Sequence, residues 1–348
     1  MKRGLALIVA ALVALVAISA AGAKTTKSND VTITGAGSSL VAPLVSVWVK
    51  PIGAAFGYTL QYSSVGSGAG IAAITARSVD FGASDAPLTA SQASACNGCV
   101  QIPWALSATT LSYNIPGVGP GLKLTGAVIA GIYLGTITSW NDPKITALNP
   151  KLNLPSTKIT PVFRSDGSGD TYAFTDYLSR VSPTWSNKVG NATAVQFPAG
   201  LGGKGNAGVA GVISQTAGSI GYISAAYSLV NHIKVAAVKN ASGVFDLPGL
   251  KNIEAAAQLA TKVPANNEMH IVNPPAGKSK NSKLAYPIST FTYIIVPQQT
   301  AHAVELRKLI FWALTQGQQN QYTSRLIFAQ LPKPVLVAAE KTLKTIHT

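Results

Sequence analysis

The chain has 348 residues, 47% hydrophobic and 11% charged, and its 27 Lys and Arg against 12 Asp and Glu give a net charge of +15. That length holds two domains or one large one, and the apolar content supplies real cores. The charge balance attracts anions in general, but no basic run of five or six occurs and no aromatic–basic interleaving, so nucleic acid is excluded as a partner.

At the N-terminus, Lys2 and Arg3 precede an apolar run from Leu5 to Ile18, followed by Ala21-Gly22-Ala23. A positive start, a short apolar stretch and small residues at the end form a secretory signal peptide over residues 1–23. The run is shorter than the roughly 20 residues of a spanning helix, which argues against a retained anchor. The mature protein is expected in the periplasm or at the extracytoplasmic cell surface.

Strands are expected at VTIT from Val31, TLQYSSV from Thr59, VDFGA from Val79, ATTLSYNI from Ala108 and KITPVF from Lys158. Further ones are SIGYI from Ser219, IKVAAV from Ile233 and STFTYIIV from Ser289. Helices are expected after Ser39, Gly68, Thr125, Gly169, Asn206, Leu250, Ala301 and Pro334. This alternation argues for α/β layers. The Gly- and Pro-rich segment Asn114 to Gly121 reads as a crossover out of a first domain, and the loop around Pro274 to Tyr286 as the way back. Cys96 and Cys99 form C-x-x-C, which in an exported protein reads as a disulfide. Redox catalysis fits less well, because the motif follows a Ser-rich segment. The four scattered histidines, His232, His270, His302 and His347, show no paired spacing for zinc. No metal and no cofactor are expected.

Three times a strand runs into a Gly/Ser loop that opens a helix: TGAGSSL at Thr34–Leu40, VGSGAG at Val65–Gly70 and DGSGD at Asp166–Asp170. The first turn of a helix carries unpaired N–H groups and partial positive charge. Glycine admits an anion close to the backbone and serine adds donors, so three such loops point to a bound oxyanion. Nucleotide motifs fail on spacing: GAGSSL lacks a third glycine, and Val272 stands where a P-loop requires its first. No serine sits in a nucleophile elbow, so a hydrolase is poorly supported.

Four of the twelve carboxylates lie beside these loops: Asp80 and Asp85 in VDFGASDAPL, Asp166 and Asp170 around the third. An acid facing an anion makes sense if the anion carries a proton, because a carboxylate then accepts a charge-assisted hydrogen bond. Such a site can reject an unprotonated analogue by roughly 10⁴–10⁵. Arg164 supplies a bidentate fork from the other side. As an alternative, Asp85 forms an Asx-turn before Ala86-Pro87.

Together TGAGSSLVAPL, SSVGSGAGIAAI, VDFGASDAPL, RSDGSGDTYAFTDYL, IYLGTITSWNDPKI and GLGGKGNAGVAG resemble the substrate-binding proteins of high-affinity phosphate ABC transporters, from about Val31 to near Pro334. The resemblance implies a type II periplasmic-binding-protein fold. Its two α/β lobes would be residues 24–108 with 288–348, and residues 109–287, with phosphate held between them. It implies that Ser39, the N–H of Leu40, Ser67, Arg164, Ser168 and Gly169 donate to phosphate, that Asp85 accepts its proton and that Asp166 holds the guanidinium. Leu40 stands where an aromatic is frequent, and Asp170 where Thr or Ser is expected. Asp170 either faces the ligand, which then needs a second proton, or stabilises the N-terminus of its own helix. The chain is thus expected to be a monomer without catalytic activity, delivering inorganic phosphate to a membrane permease. Arsenate in the same site, or a secreted phosphatase or adhesin on this scaffold, are the alternatives.

Overall fold

The computed structural model describes residues 31–348, so the expected signal segment at residues 1–23 lies outside the described residues. The strands are Thr32–Gly37 (β1), Thr59–Ser64 (β2), Phe81–Ser84 (β3), Cys99–Asn114 (β4), Lys123–Leu124 (β5) and Thr160–Arg164 (β6). They continue with Leu201–Gly203 (β7), Ser219–Ser224 (β8), Lys234–Val235 (β9), Ala237–Lys239 (β10), Phe245–Asp246 (β11) and Ser289–Pro297 (β12). A nine-stranded sheet has the order β2-β1-β3-β12-β4-β8-β6-β7, with β9 also on β4, and β11-β10-β5 form a small second sheet. β1 runs parallel to β2 and β3, and β6 parallel to β7 and β8. At the centre β4 and β12 are antiparallel.

β4 changes partners part-way. Its residues up to Ala108 pair with β12, and those from Thr109 pair with β8. The change falls ahead of the Gly- and Pro-rich segment Asn114–Gly121. The strand also begins at Cys99, well upstream of the expected Ala108. Pro103 hides that first half, because proline carries no N–H for a ladder. The structure tolerates it at an irregularity of register, between Thr292 and Tyr293 on β12.

Helices occupy the expected segments, among them Ala42–Phe56, Ser67–Thr75, Gly169–Val181 and Gly205–Gln215. These four pack on the sheet. Trp48, on the Ala42 helix, sits edge-on to Trp104 of β4 at 5.5 Å and to Trp312 at 6.1 Å. In the other half Phe174, on the Gly169 helix, stacks on Tyr222 of β8 at 4.4 Å and meets Tyr133 at 4.7 Å. These rings are buried, and large aromatic burial dominates core energetics. They fix the middle of both helices against the sheet. Cys96 and Cys99 are joined in a disulfide. Among the described residues no helix is long and apolar enough to cross a membrane.

Candidate functional site

Four helix N-termini converge where the two halves of the sheet meet. Each follows a strand that ends in glycine, serine or arginine, so the chain turns tightly and aims free N–H groups at one spot. Ser38 Oγ accepts from Leu40 N and Val41 N at the start of the Ala42 helix. Ser168 caps the Gly169 helix by accepting from Thr171 N at 3.3 Å. Asp166 Oδ1 accepts from Gly205 N at 2.9 Å, at the start of the Gly205 helix. Ser67 opens the fourth, and its Oγ accepts from Gly169 N at 3.0 Å across the two halves.

The approach is close. Gly68 N donates to Gly167 O at 2.9 Å. Gly66 has φ +93, and a Cβ there would strike the Asp166 carboxylate and lie 2.9 Å from Gly167 O. A Cβ on Gly169 would lie 2.7 Å from Asp85 Cα and press on Asp85 Cβ. Only glycine permits backbone against backbone here.

The polar side chains form one buried network. Ser38 Oγ donates to Asp85 Oδ1 at 2.5 Å, and Ser67 Oγ lies 3.4 Å from Asp85 Oδ2. Arg164 grips Asp166 with two bonds, Nε at 2.8 Å and Nη2 at 2.6 Å, and donates through Nη1 to Asp170 Oδ2 at 3.1 Å. Asp170 is fully buried: its Oδ1 accepts from Thr109 at 2.7 Å, and its Oδ2 also accepts from Asn206 Nδ2 at 2.7 Å. The same amide donates to Ser39 Oγ at 2.9 Å. Ser39, Leu40, Ser67, Asp85, Arg164, Ser168, Gly169 and Asp170 are thus gathered into one buried cluster, with Asp166 at its edge. A cavity of about 230 Å³ adjoins it, lined in part by Ser39, Asp166, Lys204, Asn206 and Tyr227.

Three carboxylates surround one guanidinium, and their ionisation reflects it. Burial, with the nearby Asp170 charge adding to it, lifts Asp85 from the ordinary 3.8 to about 7, against hydrogen bonds from Ser38 and Ser67 and the Arg164 charge. Burial also raises Asp170, although Arg164, Thr109 and Asn206 resist it. For Asp166, half-burial works upward, but the Arg164 fork and charge outweigh it and hold the group below its ordinary value. Between about pH 4 and pH 7 the folded protein therefore binds more protons than the unfolded chain, and stability falls as pH rises through that window. Asp166 acts with the opposite sign, and its contribution is lost only as pH falls below the ordinary aspartate range. The ligand-free protein is expected to melt at a higher temperature at pH 5 than at pH 7.5, with a shallower slope in Asp85→Asn. Calorimetric melts that rise over this range in the wild type would contradict the buried-carboxylate account.

The profile of the PBP superfamily domain matches residues 19–316. The phosphate-binding protein PstS of Xylella fastidiosa (strain Temecula1) is 41% identical over 310 residues, covering 88% of this chain and 83% of the relative. Its counterpart in Haemophilus influenzae is 36% identical over 318 residues, covering 90% and 92%. The chain belongs to the PstS phosphate-binding protein family. In fold it is similar to a putative phosphate ABC transporter substrate-binding protein from Clostridium perfringens, crystallised with bound phosphate. The TM-score is 0.63 at 17% identity, over 87% of this chain and all of that one. The fold is accordingly that of the periplasmic binding proteins.

In this PstS family member, sequence reasoning passed over three residues of the network. Ser38, and not the neighbouring Ser39, joins Ser67 in donating to Asp85. Thr109 lies inside a strand, and only the register of β4 aims it at Asp170. Asn206 sits in the GLGGKGNAGVAG segment, yet an asparagine in a Gly-rich loop reads as a turn residue. The available signal was its place at a helix start two residues after a lysine.

Proposed function

We propose that this chain captures inorganic phosphate, in a protonated form, between a lobe of residues 24–108 and 288–348 and a lobe of residues 109–287. It then passes the ion to a membrane ABC permease, working outside the cytoplasm as a monomer and without catalysis. The observation that carries this reading is the meeting of four helix N-termini around a buried Asp–Arg–Asp cluster. The helix ends and Arg164 attract an anion. The carboxylates repel one unless it brings protons for them to accept.

In this reading Ser39, Ser67, Ser168 and the N–H groups of Leu40 and Gly169 donate to phosphate oxygens, exchanging some of their present partners. Asp85 accepts the phosphate proton. Arg164 binds an oxygen while Asp166 fixes its plane. The three donors on Asp170 support a role as the second counter-ion of Arg164, with Thr109 and Asn206 holding it in place. Ala108–Thr109 and Ile288–Ser289, where β4 and β12 pass between the halves, serve as the hinge.

Titration calorimetry with phosphate, arsenate and sulfate tests the assignment. Wild type is expected to take phosphate and arsenate and to ignore sulfate, which carries no proton near neutral pH. In Asp85→Asn the amide can turn its N–H₂ toward an unprotonated oxygen, so sulfate binding should appear while phosphate weakens modestly. Equal heats for phosphate and sulfate in the wild type would sink the proton-reading role of Asp85. No heat with phosphate would sink the function.

A further inference from the structure

We propose that the Ser224 hydroxyl is a further ligand-contacting group of the phosphate site, an inference that rests on the reading above. Ser224 is the last residue of β8, 1% exposed, and its Oγ has no hydrogen-bond partner among the described residues. It occupies the N-cap position of the helix Ala225–Val230, where serine ordinarily accepts from the helix's own N–H groups, yet it makes no such bond. The structural task that would explain this serine is one it does not perform.

The register of the sheet says where the hydroxyl points. Ser224 lies directly opposite Thr109 in the antiparallel β4–β8 pair, and opposed residues project from the same face. Thr109 sends its hydroxyl from that face to Asp170. Two residues back on β8, alternation puts Tyr222 on the same side, and its hydroxyl pairs with Thr171 at 2.7 Å and accepts from Arg164 N at 3.0 Å. The backbone closes the frame: Ser224 N donates to Asn206 Oδ1 at 2.7 Å, and the amide of Asn206 bridges Ser39 and Asp170. Ser224 is thus bracketed by Thr109, Asp170 and Asn206. Among the described residues the other buried side-chain polar atoms without a partner, Trp48 Nε1, Asp176 Oδ2 and Ser179 Oγ, belong to the aromatic core or to later turns of the Gly169 helix.

A hydroxyl brings chemistry that Asp85 lacks. It donates to a bare phosphate oxygen and accepts from a protonated one. Ser224 therefore suits either ionisation state of phosphate, where an ionised carboxylate suits only the protonated oxygen.

Ser224→Ala separates this role from a structural one. Phosphate affinity by calorimetry is expected to fall about tenfold, the loss of one hydrogen bond to a charged group. The melting temperature of the ligand-free protein is expected to stay unchanged or rise, since no hydrogen bond within the protein is broken. Unchanged phosphate affinity overturns the inference. So does an affinity loss accompanied by a lower ligand-free melting temperature, which marks a serine needed for the fold. Wild type that binds no phosphate at all defeats the underlying function instead, so the two failures are distinct.

Discussion

Replacing Arg164 by Ala is expected to weaken phosphate binding by roughly 2–5 kcal/mol, the range for truncating one partner of a buried charge pair. The guanidinium sits at the centre of the site's electrostatics. Its Nε and Nη2 are committed to Asp166 and its Nη1 to Asp170, and the side chain is almost wholly buried. Burial works against its charge, but the two aspartates outweigh that and raise its pKa further. Without it, Asp170 is left inside with only the neutral donors Thr109 and Asn206. The cluster then turns from neutral dipoles plus one balanced cation into a set of carboxylates, which an anion avoids. Arg164→Lys should restore little, because an ammonium cannot span both Asp166 oxygens in the fork geometry. Calorimetry on variants with wild-type circular dichroism measures this directly. Undiminished phosphate affinity in Arg164→Ala would remove the arginine from the site.

Gly169→Ala is expected to be nearly as costly, for a steric reason. The added methyl would press on Asp85 Cβ and stand 2.7 Å from Asp85 Cα. Asp85 belongs to the opposite half, so relief requires the halves to separate. Separation also parts Gly169 N from Ser67 Oγ and Gly68 N from Gly167 O. If the closed arrangement falls to about 1% of molecules, apparent phosphate affinity drops about 100-fold. Small-angle scattering at a phosphate concentration that saturates wild type but not the variant should give a larger radius of gyration for the variant than for wild type. Matching curves and matching affinities would mean that the halves do not need this contact.

The legible parts of the sequence were those in which one local pattern carries both conformation and chemistry. TGAGSSL, VGSGAG and DGSGD each announce a strand end, a turn and a helix start, and the structure gathers all three. The strands expected from β-branched alternation are present, except that IKVAAV from Ile233 is split into β9 on the large sheet and β10 on the small one. What escaped notice were elements whose identity depends on distant partners. The first half of β4 holds Pro103, a residue that excludes most central strands, and only the irregular register opposite Tyr293 accommodates it. β7 is Leu-Gly-Gly, a strand held in place by pairing with β6 rather than by propensity. Thr109, Asn206 and Ser38 look like ordinary polar residues until the sheet register and the loop approach set them beside Asp170 and Asp85. Their roles are properties of contacts between segments, and a single chain read from one end does not display them.

The position of β12 has a consequence for the order in which the chain matures. β12 lies between β3 and the first half of β4, but its residues 289–297 come long after both. Until they arrive, β3 and the upstream half of β4 present unpaired edges, and such edges are templates for aggregation. The closing pairing spans a very long loop, a topology that slows folding. The middle of the chain, from Thr109 to the end of β8, meets its partners sooner, since β4 and β8 pair without help from either terminus. Assembly should therefore proceed from the centre outward. β1, β2 and β3 can pair with one another early, but their link to β4 runs through β12, so the two halves of the large sheet join only once residues 289–297 have emerged.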